Sequence, residues 1–146
     1  MAKRSQQEKI LLGLSGEFAV ASYLCLQGYV ASLTLKNYPK VDIFVFNPQN
    51  KRNGTIQVKT TLGVVGYLLP ESISEGDPTF VFVYFETGDS SPQFFVVPAK
   101  RVAEISEWER QSYLNTHPTV KREQPRTIDI VEIQEFRDKW QNLGLD

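Results

Sequence analysis

The chain has 146 residues, with 16 Lys and Arg against 17 Asp and Glu and a formal net charge of −1. That length suits a single domain, residues 1–146, able to bury a real core; the charge balance removes any overall basic excess, though not a local basic groove. One cysteine, Cys25, excludes an intramolecular disulfide and points to a reducing compartment.

The N-terminus, MAKRSQQEK, is basic but is not followed by a clean apolar core and cleavage site, so it does not read as a secretory signal. No uninterrupted apolar run approaches about 18 residues, so no membrane-crossing helix and no membrane partner is expected, and the cytoplasm is the expected location. Ser5-Gln-Gln-Glu8 has the form of a capping box, and Ile10, Leu11, Leu14, Phe18, Ala21, Leu24 and Cys25 follow at helical spacing as far as Gly28. This spacing predicts a helix with Cys25 on its apolar, core-facing side. Glu17 interrupts the apolar stripe from within: Leu14, Val20, Ala21 and Leu24 are its neighbours on the helix surface. A carboxylate placed there is partly desolvated and needs a cation, a metal or donors. Gly13 and Gly16 each cost the helix about 1 kcal/mol against alanine, which suggests close approach by another backbone.

Tyr29–Leu35 reads as a first strand. Val41–Phe46 and Thr55–Thr60 are rich in Val, Ile, Phe and Thr and flank a polar loop ending in Asn53-Gly54, so they predict a hairpin. Setting Phe46 opposite Thr55 puts Ile43, Val45, Ile56 and Val58 on one face, and Asp42, Phe44, Gln57 and Lys59 on the other. An acid, an amide and an amine on one patch of sheet is the first sign of chemistry. Thr61–Pro70, with Gly63 and Gly66, is an irregular segment or weak strand. Thr79–Phe85 is almost continuously apolar and predicts a central strand covered on both faces. Gln93–Val97 is a further strand, antiparallel to it. A helix is expected from Pro98, a second over Ser106–Leu114, an edge strand at Thr127–Ile130, and a closing helix carrying Ile133, Phe136, Trp140 and Leu143 as far as Gly144. Trp108 and Trp140 read as anchors for the C-terminal helices, and His117, before Pro118, as a surface residue. The expected fold class is α/β or α+β, with helices packed on a mixed sheet.

Gly16-Glu17 on the first helix, Pro39-Lys40-Val41-Asp42 at a strand start and Gln57-Val58-Lys59 on the next strand, in this order, resemble the PD-(D/E)XK nuclease superfamily. The resemblance covers about the first 100 residues and implies a restriction-endonuclease-like core of helix, three meandering strands, helix and strand. It also implies hydrolysis of DNA phosphodiesters with Mg²⁺ or Mn²⁺, a hard cation that takes oxygen ligands. On that pattern Asp42 is the central metal ligand, Glu17 supplies a second carboxylate and the Val58 carbonyl a further oxygen. Gln57 stands where many members have an acid, and Lys59 orients or deprotonates the attacking water. Lys36, Lys40, Lys51 and Arg52 surround the site in sequence and are candidates for phosphate contact. DNA is the expected partner, and a homodimer would supply two sites for two strands. Gln57 cannot become anionic, so the site carries one negative charge fewer than the common pattern. This leaves open a non-catalytic relative that uses the fold to bind nucleic acid or protein, or a structural α/β protein with no site.

Overall fold

The computed structural model describes residues 3–35, 38–120 and 124–146. Helix α1 (Gln6–Leu26) starts on the expected capping box, with the Ser5 hydroxyl accepting from Glu8 N and the Glu8 carboxylate accepting from Ser5 N. It ends at Gln27, and Gly28 continues at φ 96°, a left-handed position that suits glycine. Strands β1 (Val30–Leu33), β2 (Ile43–Phe46) and β3 (Asn53–Leu62) form an antiparallel meander. Then come β4 (Gly66–Leu68), β5 (Thr79–Phe85), β6 (Gln93–Val97), α2 (Ala99–Thr116) and β7 (Thr127–Asp129).

Five strands make one mixed sheet in the order β1-β2-β3-β5-β6, with β3 and β5 parallel and the other pairs antiparallel. A small second sheet pairs β4 with β7. The connection between β3 and β5 carries β4 and loops and no helix, unlike the helix that the resemblance implies at this point. The chain is thus a mixed α/β domain.

The sheet separates two cores. On one face α1 supplies Val20 and Leu24 against Ile43, Val45, Ile56, Val58, Val81 and Val83. On the other, α2 and the β4–β7 pair supply Val102, Tyr67 and Ile128 against Phe80, Phe82, Phe95 and Val97. The alternation within TFVFVYF divides its side chains between these cores, and so β5 is covered on both sides. By length and composition alone α1 is apolar enough to cross a bilayer, because Gly13 and Glu17 interrupt the apolar run without making it polar. In this fold it is one layer of the sandwich, with Glu17 on the covered face.

The hairpin register differs from the expectation by two residues. Phe46 pairs with Asn53 and Ile43 with Ile56. Asn47 and Asn50 shape the loop early: Asn47 Oδ1 accepts from Gln49 N, Asn50 Oδ1 accepts from Arg52 N, and Lys51 is left-handed at φ 67°. The turn therefore closes over residues 47–52, and Asn53-Gly54 is drawn into the strand. A slip of two preserves both faces, since side chains repeat every second residue.

Other expectations also change. One continuous helix, α2, replaces the two predicted after Pro98. The closing helix is two 3₁₀ segments, Ile130–Phe136 and Trp140–Leu143, though Gly144 does end the second at φ 70°. Cys25 is exposed, because the covered face of α1 runs through Gly16, Glu17, Val20 and Leu24 and passes it by. Trp108 is 68% exposed on α2, whose buried positions are Ala99, Val102 and Ser106. Trp140 does anchor its segment, stacked 4.5 Å from Tyr23 and set edge-on to Phe94.

Candidate functional site

The β2–β3 ladder ends at Ile43–Ile56, but β3 continues to Leu62. From Val58 onward the β2-facing edge of β3 has no strand beside it among the described residues. An unpaired edge must find other partners or stay open. Asp42 sits where the ladder stops. Its backbone N–H donates to Ile56 O at 2.8 Å, its carbonyl accepts from Thr34 N at 2.9 Å, and its Oδ2 accepts from Val58 N at 2.7 Å. The aspartate thus takes over where the next residue of β2 would have paired. A charged acceptor makes this hydrogen bond stronger than a neutral one.

Within a strand the N–H and C=O of one residue leave on the same side. Since the Val58 N–H points at Asp42, the Val58 carbonyl faces the same open edge. At Leu62 the edge is closed again, because Arg4 Nη2 donates to Leu62 O at 3.1 Å.

Gln57 and Lys59 alternate with Ile56, Val58 and Thr60, so they project from the sheet face opposite α1. They lie beside Phe80 and Phe82 of β5 in the parallel ladder. Gln57 is buried, and its Oε1 has no hydrogen-bond partner among the described residues. Burial lowers the pKa of Lys59, and the negative charge of Asp42 opposes that shift. Ammonium and carboxylate feel one another, yet they form no direct ion pair.

Glu17 arrives from the other face, on α1, and is 7% exposed. Gly16 brings the helix down onto β3: a Cβ there would lie 1.8 Å from Thr60 Oγ1. Gly13 stands one turn before Glu17 on the same face, and a Cβ there would meet nothing within 4 Å. Helical side chains lean toward the N-terminus, so the Glu17 side chain leans over the space that Gly13 leaves.

That space is part of a cleft of about 660 Å³ between the first half of α1, the β3 edge and β4. Lys3, Arg4, Lys9 and Lys59 line it, together with apolar residues from α1 and the β3–β4 segment. Of these cations, sequence reasoning finds only Lys59 and misses Lys3, Arg4 and Lys9. Their signal is the basic run at the start of the chain, which in sequence is weighed only as a secretory signal and set aside.

The candidate phosphate contacts fare differently. Lys40 is committed elsewhere, with Nζ donating to Asp77 Oδ2 and Ser72 O, both at 3.1 Å. Arg52 lies at the turn end of the hairpin, the opposite end from Asp42, where Nη1 donates to Asp146 O. Neither is brought to the open edge of β3. Lys51 is in the same turn, and Lys36 lies outside the described residues. His117 is exposed and stacks on Tyr113.

At the edge itself the oxygen donors are the second oxygen of Asp42 and the Val58 carbonyl; the Glu17 carboxylate lies on the α1 side of the sheet and Gln57 Oε1 is buried on the other. Their chemistry suits a hard divalent ion such as Mg²⁺. Only two of these groups are anionic, and no cluster of three or more His, Cys, Asp or Glu that could hold a metal occurs among the described residues. No model of a known protein family matches the chain, and no curated protein matches it.

Proposed function

We propose that this chain is a metal-dependent endodeoxyribonuclease with a restriction-endonuclease-like core, acting in a reducing, cytoplasmic setting. One observation carries the reading: Asp42 caps Val58 N at the point where β3 loses its partner. The strand-start acid and the Gln-x-Lys strand are thereby joined at one open edge, under the helix that bears Glu17.

In this reading Asp42, Glu17, the Val58 carbonyl and Gln57 Oε1 hold a divalent cation. When bound, that ion supplies Lewis-acid polarisation of the phosphodiester. The remaining work belongs to the chain. The fixed Val58 N–H orients the Asp42 carboxylate, leaving one oxygen for a ligand. Burial makes Lys59 readier than an exposed lysine to give up its proton, so its Nζ can accept one from an attacking water. With that proton it balances charge on the phosphate. The cations of the cleft hold the nucleic-acid backbone against the edge.

A second reading, a catalytically inert binding module on the same framework, draws on Gln57 and on the site's having only two carboxylates. Cleavage and metal binding separate the two. Purified protein is incubated with plasmid and single-stranded circular DNA in Mg²⁺ or Mn²⁺, and metal affinity is measured by calorimetry. Asp42→Asn is the informative variant, because it keeps an acceptor for Val58 N and removes only the charge. Asp42→Ala would also leave a partly buried N–H unpaired, at about 1–3 kcal/mol. The expected outcome is metal-dependent nicking by the native protein and a loss of about 100-fold in Asp42→Asn, since changing even the partners of metal ligands costs about 10–100-fold. Native protein that neither binds metal nor cuts sinks the nuclease reading and leaves the binding module.

A further inference from the structure

Lys3, Arg4, Lys9 and Lys59 converge on one cleft although the whole chain has a net charge of −1. Among the described residues no acidic side chain lines the cleft, and none of the four cations forms an ion pair. Asp42 bears on Lys59 and Glu17 leans over the space beside Gly13, so two carboxylates stand near four cations, and the positive excess that remains favours an anion in the cleft. Arg4 is fixed by its hydrogen bond to Leu62 O, which leaves most of its five N–H donors for another partner.

Apart from Thr60 and Thr61, the rest of the lining is apolar. Leu12 lies on the floor, and Val64 and Leu68, 42% and 70% exposed, form the rim. Gly13 and Gly66 hold the cleft open, since a Cβ on either would meet nothing within 4 Å. A double helix offers phosphates to such a surface but keeps its base faces stacked inside. An unpaired strand offers both phosphates and bare base faces. Cations that track a backbone beside apolar surface for bases are the common design of single-strand sites. The cleft volume, about 660 Å³, falls in the range of pockets that enclose small molecules, enough for roughly one or two nucleotides.

We propose that this cleft binds an unpaired stretch of nucleic acid, with phosphates on Lys3, Arg4 and Lys9 and a base against Leu12, Val64 and Leu68, and delivers it to the Asp42–Lys59 edge. The proposal names the substrate class of the site described above and rests on the nuclease reading only for the cleavage step after binding.

The test is fluorescence anisotropy in EDTA, where no metal-dependent cleavage occurs. The probes are a labelled oligothymidylate and a blunt hairpin duplex of equal length, over a range of salt, with inorganic phosphate as competitor. The native protein should bind the single strand about tenfold or more tighter than the duplex, the size of one base contact. Lys9→Glu and, independently, Lys3→Glu should weaken single-strand binding and flatten its salt dependence by about 0.7 in log–log slope for each phosphate that is no longer neutralised. Leu68→Ser, at an exposed position, should weaken the single strand and leave the duplex unchanged. Equal affinity for both probes, single-strand binding untouched in all three variants, or full displacement by millimolar phosphate alone would overturn the proposal. Single-strand preference in EDTA without cleavage in Mg²⁺ removes the nuclease reading and keeps this one. Cleavage of duplex with no single-strand preference does the reverse.

Discussion

Gly13 and Gly16 look alike in sequence, both glycines inside a helix, and the structure gives them opposite meanings. Gly16 is a contact: Thr60 Oγ1 lies where its Cβ would be, 1.8 Å away, and the Thr60 Cβ and Cγ2 atoms follow at 2.9 Å. Gly16→Ala must therefore push α1 off β3 or force Thr60 from its rotamer, at a cost of about 1–3 kcal/mol. Gly13 faces open space, so Gly13→Ala removes backbone freedom from the unfolded chain without a clash and should stabilise by about 1 kcal/mol. Chemical denaturation of the two variants should move the midpoint in opposite directions. Two destabilised variants would mean that the cleft beside Gly13 is narrower than described. The close approach at Gly16 matters for the site, because it sets the height of the neighbouring Glu17 above the β3 edge.

At the scale of elements, local signals were legible and partner choice was not. The Ser5–Glu8 box, the Gly28 and Gly144 stops and the Thr79–Phe85 strand were all readable, because each depends on residues a few positions apart. The register of β2 on β3 was not, since two asparagine side chains close the turn before the Asn-Gly pair can. Nor was the pairing of β7 with β4, two very short strands from distant parts of the chain. That Asp42 lies beside the strand carrying Gln57 and Lys59 was legible, because the two strands are neighbours in sequence. The cations at the chain start were not, because only the packing of α1 on β3 carries them to the site. A contact between α2 and the 3₁₀ segment Ile130–Phe136 was equally invisible: Glu109 meets Glu132, with Asp129 nearby. Burial, then the hydrogen bond and charge of Glu132, then Asp129, push the Glu109 carboxyl from 4.5 up to about 7. A folded-state pKa above the unfolded value means that the native state holds its proton more tightly. This contribution is complete below about pH 4.5 and fades as pH rises through about 7. The melting temperature should thus fall between about pH 5 and pH 8. Glu109→Gln, which cannot ionise, should fall less over that interval; parallel profiles for the two proteins would remove Glu109 as the cause.

For the whole molecule, the strand order decides where stability is concentrated. β5 is hydrogen-bonded to β3 on one side and β6 on the other, and Phe80, Val81, Phe82 and Val83 are 0–1% exposed between the two cores. None of its central amides can reach water without breaking a flanking ladder and at least one core. The small β4–β7 sheet hangs on the α2 face by Tyr67 and Ile128, and its strands span three residues each. Few ladder bonds cross it, so it should open more readily than the main sheet, at the cost of exposing Tyr67 and Ile128. Proteins open in such units, with free energies running from near zero up to that of global unfolding. Amide hydrogen exchange should therefore show β5 exchanging only through global unfolding, with a denaturant dependence equal to that of the whole protein. The β4 and β7 amides should exchange faster and with little denaturant dependence. This order bears on the site, since β4 forms one wall of the cationic cleft while β3 and α1 form its floor. A wall that opens independently of the floor would let a strand enter without disturbing Asp42 or Lys59. Protection of β4 equal to that of β5 would instead make the cleft a fixed slot, and the salt dependence of binding would then be its main control.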